Sequence, residues 1–87
     1  MGAAVVSRTD LQHELVAMLT KISGSDVGPV SPALSGKSLR DDLDIDSLAM
    51  VELADEIEAL YGVTVPEEQL GGLRTFGDVV DCLGALV

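Results

Sequence analysis

Leu11, Leu15, Met18, Leu19 and Ile22 recur at steps of three and four residues, the spacing that gathers side chains on one face of a helix. This predicts a first helix from about Asp10 to Ile22. Thr9, with Gln12 three residues on, has the form of a capping box at its start. Ser23-Gly24-Ser25 ends it. From Ser23 to Leu39 the periodicity lapses, and Gly28-Pro29, Pro32 and Gly36 argue against helix there. A connection of that length in a small domain tends to be functional or mobile. Val27, Val30, Leu34 and Leu39 are expected to tuck part of it onto the core.

The periodicity returns from Ser47 to Tyr61 and stops at Gly62, a residue suited to the left-handed helix end. Met50, Leu53, Ala54, Ile57, Leu60 and Tyr61 fall on one broad apolar face, with Ser47, Glu52, Asp55, Glu56 and Glu58 opposite. Leu48 and Val51 lie on the wrong side, among the acids. They are either a contact patch or a pair buried under the long loop. Val63-Thr64-Val65 is too short to form a strand without a partner and reads as an extended connector. Pro66 to Leu70 fits a short helix with proline at its first position and acids in its first turn, broken by Gly71-Gly72. The final helix begins at Thr75, whose spacing to Asp78 again suits a capping box, and carries Phe76, Val79, Val80 and Leu83 inward. Leu86 and Val87 are expected to fray. Three longer helices and one short one, with a long loop between the first two, make an all-α, small four-helix bundle.

Composition narrows the function. Eighty-seven residues suit one domain, with residues 1–8 as a flexible leader and 9–87 folded. Phe76 and Tyr61 are the whole aromatic content, so the core is aliphatic. Fifteen acids against five bases give a net charge of −10. That excludes ordinary nucleic-acid binding, which needs Lys and Arg on phosphates, and favours basic partners. A single cysteine, Cys82, allows no internal disulfide and fits a reducing, cytoplasmic setting. Cys82 with His13 makes no zinc set, no metal ligands are assigned, and no apolar run reaches the length of a membrane span. A monomer is expected.

Chemistry concentrates in one stretch. Asp41, Asp42, Asp44, Asp46, Glu52, Asp55, Glu56 and Glu58 fall between positions 41 and 58 without a base among them. A calcium loop counted from Asp42 fails, because Ser47 stands where the turn glycine belongs and Leu53 where the bidentate Glu belongs. No nucleophile elbow, P-loop or dinucleotide-binding glycine pattern occurs, and a chain this small is expected to build no deep pocket. Catalysis is therefore not expected. Ser47 opens the acidic helix. It can serve as a helix cap shared with Asp46, or as a seat for a phosphate at the helix N-terminus.

Asp44-Ile45-Asp46-Ser47-Leu48, then Met50-Val51-Glu52 and later Val65-Pro66-Glu67-Glu68, resemble the acyl carrier proteins. The match spans roughly Asp10 to Leu83, which makes residues 9–87 the carrier domain. The stretches from Asp41 to Leu48 and from Gly72 to Val80 are most similar to actinobacterial, including mycobacterial, type II carriers. The resemblance implies that Ser47 carries 4′-phosphopantetheine, transferred from coenzyme A by a phosphopantetheinyl transferase, and that acyl chains ride on the arm as thioesters. It implies that Asp46 orients the modification site. Leu48, Val51, Glu52, Asp55 and Glu56 would then face fatty-acid or polyketide synthase enzymes through their basic docking patches. Asp55 departs from the family pattern, standing where many members have an apolar residue, which implies a different choice of partner. Three rivals remain open at this stage: a dedicated carrier of a secondary-metabolite or siderophore pathway, an unmodified acidic interaction module, and a metal-buffering helical protein.

Overall fold

The computed structural model describes residues 7–24 and 26–86. Its helices are α1 (Arg8–Ser23), α2 (Pro32–Ser35), α3 (Ser47–Tyr61), α4 (Glu67–Gly72) and α5 (Phe76–Leu86). The outcome is the expected small helical bundle with one addition. Proline at the first position lets a single turn, α2, form inside the long loop, where the prolines and glycines had argued for none. Residues 1–6 of the expected leader and Val87, expected to fray, lie outside the described residues, whereas Leu86, also expected to fray, is the last residue of α5 and packs against the core. Ser7 and Arg8, also assigned to that leader, belong to α1 as its cap and first residue.

Helix ends follow local chemistry, with two corrections. Ser7, not Thr9, caps α1: its Oγ accepts from the Asp10 N–H at 3.1 Å. Gly24 and Gly62 close α1 and α3 in the left-handed region, at φ 73° and 68°, where a side chain would be strained. Gly71-Gly72 does not break α4 but forms its last turn, because α4 begins at Glu67 with Pro66 as its cap. The box at α5 is as expected: Thr75 Oγ1 accepts from the Asp78 N–H at 3.1 Å, and the Asp78 carboxylate accepts from the Thr75 N–H at 3.1 Å.

The core is aliphatic around one ring. Phe76, Leu15, Leu19, Leu53, Leu83, Val79 and Val80 are wholly buried. Helix α1 packs against both α3 and α5, and α2 rests on α5. That last contact is close. A Cβ on Gly77 would stand 3.0 Å from the Ser35 carbonyl oxygen, so glycine is what lets the turn seat there. Leu34, Leu39, Leu43 and Ile45 are buried too, so the long connection is anchored as the sequence suggested. Its end is tied to the start of α5 by Leu39 N–H to the Arg74 carbonyl at 2.9 Å and Phe76 N–H to the Lys37 carbonyl at 3.0 Å.

Leu60 departs from its expected inward face and is 52% exposed, because it lies at the edge of the α1–α3 contact, along an open surface groove shared with Glu14, Ala17 and Lys21. Tyr61 packs against the core, and its hydroxyl is buried with no hydrogen-bond partner among the described residues. Among the described residues no helix is long and apolar enough to cross a membrane.

Candidate functional site

The approach to α3 is a tight turn built from its own acids. The Asp42 carboxylate accepts from the Ser38 N–H at 2.8 Å, and Ser38 Oγ accepts from the Asp41 N–H at 3.1 Å. The Ile45 N–H reaches the Leu39 carbonyl at 2.7 Å, with both side chains buried. Asp44 lies between the two anchors Leu43 and Ile45 at φ 62°, a left-handed backbone that Asp tolerates better than most residues. The turn delivers the chain to α3 in a fixed direction.

Asp46 is the cap of α3. Its Oδ1 accepts from the Ala49 N–H at 2.8 Å, so the capping role that the sequence left shared belongs to Asp46 alone. Ser47 is the first helical residue and is exposed. Its Oγ accepts a hydrogen bond from Arg40 Nη2 at 3.2 Å. A hydroxyl freed from capping, facing solvent at the positive end of a fifteen-residue helix, can be reached by another molecule and can bear a phosphoester.

A cavity of about 820 Å³ begins at Ser47 and runs between α3, α4 and the Ser38–Asp41 turn. It corrects the expectation that so short a chain builds no pocket of ligand size. The space lies in a half-open groove rather than in a hollowed core, with residues of the core cluster on one side and solvent-facing residues on the other. Ile45, Ala54 and Val65 form its buried apolar side, with Met50, Leu70 and Leu73 half-buried beside them. Arg40, Asp41, Asp55, Glu67 and Arg74 are its exposed, charged rim. Glu58 closes one side: its carboxylate accepts from the Val65 N–H at 2.8 Å and fastens the connector to α3. The groove can shelter an apolar chain below a polar edge.

The outer face of α3 settles the question that Leu48 and Val51 left open. They are 69% and 50% exposed, not covered by the loop. Glu52 and Asp55 are exposed beside them. Glu56 is different, because Lys21 of α1 pairs with it at 2.8 Å, so part of its charge is already answered within the chain.

Other reactive groups stay apart. His13 is exposed, with Nδ1 2.9 Å from the Thr9 carbonyl. Cys82 is half-buried near Gln69, and burial pushes its thiol up from the ordinary value, which makes it a poor nucleophile. Among the described residues no three His, Cys, Asp or Glu side chains gather as metal ligands would, since Asp42 and Asp46 are turned to backbone N–H groups. Sequence reasoning missed Arg40 as the neighbour of Ser47, and it missed the groove. The one available signal was that Arg40 is the last base before the acidic stretch; the turn that carries it back is not periodic.

Residues 13–83 match the family described as "Phosphopantetheine attachment site". The chain is 51% identical over 73 residues to the meromycolate extension acyl carrier protein of Mycolicibacterium aurum, with 79% of this chain and 72% of that one covered. It is 51% identical over 70 residues to an acyl carrier protein of Rhodococcus erythropolis, covering 79% and 77%. Among solved structures, the acetyl actinorhodin acyl carrier protein of Streptomyces coelicolor superposes with a TM-score of 0.70 at 26% identity, over 95% of this chain and 93% of that one.

Proposed function

Since the chain belongs to the acyl carrier proteins, we propose that Ser47 is the residue to which its 4′-phosphopantetheine is joined. The protein is a carrier and not an enzyme. When attached, the group supplies a thiol on which acyl intermediates are held as thioesters. The observation that carries the assignment is the division of labour at the start of α3. Asp46 takes the capping bond, and the next residue presents an exposed hydroxyl at the mouth of an apolar groove. The other residues then have definable parts. Asp46 fixes the first turn and so the direction of Ser47. Met50, Ala54 and Leu70 offer apolar surface along which a chain tethered at Ser47 can lie.

Leu48, Val51, Glu52 and Asp55 are proposed as the surface read by the modifying transferase and by synthase enzymes. Leu48 and Val51 would be desolvated at the centre, and the acids would steer basic patches toward them. Glu56 contributes less than Glu52, because Lys21 already answers it. We infer that the acyl groups belong to lipid synthesis, on the strength of relatives at 51% identity that include a meromycolate extension carrier. The secondary-metabolite alternative rests on a neighbour at 26%. A cytoplasmic setting suits the free Cys82.

Intact mass after incubation with coenzyme A and a broad-specificity phosphopantetheinyl transferase tests the central assignment. One phosphopantetheinyl group should add to the protein and none to Ser47→Ala. A gain in that variant would move the site elsewhere.

A further inference from the structure

Arg40 is held beside Ser47 by a rigid piece of backbone. Its neighbour Leu39 is buried and hydrogen-bonded at both peptide groups, to the Arg74 carbonyl and from the Ile45 N–H. The guanidinium at the end of this support meets the Ser47 hydroxyl. Arg8 and Lys21 are paired with carboxylates, at 2.8 Å each. Arg40 forms no ion pair among the described residues, although Asp41, Asp42, Asp44 and Asp46 follow it in the chain. Two of those acids are turned away, Asp42 to the Ser38 N–H and Asp46 to the Ala49 N–H. A cation left unpaired amid acids, and pointed at one hydroxyl, has a donor fork to offer at that atom.

We propose that Arg40 is the positioning residue for the phosphodiester of the attached arm, an inference that rests on Ser47 being the attachment residue. A phosphorus bonded to Ser47 Oγ brings its non-bridging oxygens next to the atom that Arg40 already contacts. The planar guanidinium suits such oxygens, since two parallel N–H donors match them. The surrounding aspartates make the locality hostile to an anion, and Arg40 offsets this where the charge is fixed. Arg40 and Ser47 both line the groove. A phosphodiester held by Arg40 therefore starts the arm along α3 and α4 instead of leaving it to swing through solvent. Lys37 is an exposed base outside the lining of the groove, so it provides a control of equal charge.

The test uses the loaded full-length protein and the ³¹P resonance of its own phosphodiester. Wild type, Arg40→Lys, Arg40→Gln and Lys37→Gln are loaded, and loading is verified by mass. In Arg40→Gln the ³¹P resonance should shift, and its relaxation should report a freer arm. Arg40→Lys should fall between Arg40→Gln and wild type, as a point charge without the fork. Lys37→Gln should match wild type. The difference between wild type and Arg40→Gln should shrink as salt rises above about 0.1 M, since the pair is exposed. In wild type alone, the Arg40 guanidinium ¹H–¹⁵N signals should shift on loading, which keeps the test open if a variant loads poorly. Identical ³¹P shifts and relaxation in all four proteins, with Arg40 signals unmoved by loading, would overturn the proposal. Failure of wild type to gain mass would instead bring down the attachment itself, and the two results are distinguishable.

Discussion

Two helices of this protein start in opposite ways. At α5 the first residue is Phe76, the largest wholly buried side chain in the molecule. The polar groups before it close on one another, with Thr75 and Asp78 capping reciprocally and the Arg74 N–H also donating to Asp78 at 3.0 Å. At α3 the first residue is Ser47, exposed, with a single capping bond from Asp46. The α5 start is closed on its own backbone and anchored in the core. The α3 start leaves a side chain over. A helix terminus becomes a place for chemistry when a neighbour takes the capping duty, and Asp46 is that neighbour.

Exchanging the two first residues for alanine should break the molecule in two unrelated ways. Ser47→Ala should lose all phosphopantetheine uptake by mass, while its melting temperature stays at the wild-type value, because the hydroxyl caps nothing. A stability loss of about 1 kcal/mol, the usual worth of a cap, would show that Ser47 shares the duty after all. Phe76→Ala should cost about 3–5 kcal/mol in denaturant unfolding, the range for emptying an aromatic site in a core. That is a large share of the roughly 4–13 kcal/mol that a chain of this size commands. A loss under about 1 kcal/mol would mean that the ring anchors nothing.

The caps give a smaller contrast. Asp78→Ala orphans two backbone N–H groups and should cost about 1–2 kcal/mol, whereas Asp46→Ala orphans one and should cost about 1 kcal/mol. Equal losses in urea titrations would erase the distinction drawn between the two starts. On the recognition side, Leu48→Ala should leave stability within about 0.5 kcal/mol, as for an exposed site, and speed dissociation of a synthase partner. Glu52→Lys should slow association, more so at low salt. Surface plasmon resonance separates the two, and unchanged kinetics in both would remove α3 from the interface.

The finest difference is in pH. The N–H groups of Arg74 and Thr75 hold the Asp78 carboxyl below its ordinary value near 3.8, against a smaller opposing push from burial; the Thr75 hydroxyl and the Arg74 charge add to the lowering. A carboxyl lowered in the folded state contributes stability that is complete above that ordinary value and is lost as pH falls through the folded one. Asp78→Asn should therefore show a shallower fall of melting temperature in the acid range than wild type. Identical acid slopes would assign the acid sensitivity to other carboxylates.

Periodic segments were legible from the chain alone. Helix α3 begins and ends at the residues its pattern names, since Ser47 follows an Asp and Tyr61 precedes a Gly, both strong local signals. Leu48 and Val51 were legible as out of place on the helix face, and their exposure needed only a decision about the loop. The turn α2 was hidden because Pro32 reads as a breaker, and only packing on Gly77 shows that it starts a helix instead. The α1 cap was misplaced because Ser7 and Thr9 both fit the cap chemistry two residues apart. At the site, Ser47 and Asp46 stand together in the sequence and were found together. Arg40 and the groove depend on where an aperiodic turn returns, which no spacing rule encodes.

The buried hydroxyl at the far end of α3 turns the protein into its own optical instrument. The chain has one tyrosine and no tryptophan, so its tyrosine fluorescence and near-ultraviolet absorbance come from Tyr61 alone. Burial, then the charges of Glu14 and Asp10, push that phenol above 10. The stability tied to it is thus complete below pH 10 and fades as pH climbs through the raised folded value. Ionisation and alkaline melting will register in the same phenolate band, without a dye. Ser47 lies fourteen residues away at the opposite end of the helix, about 21 Å at 1.5 Å per residue. Light from Tyr61 can therefore follow the fold while the opposite end is loaded, acylated or docked, in unlabelled protein.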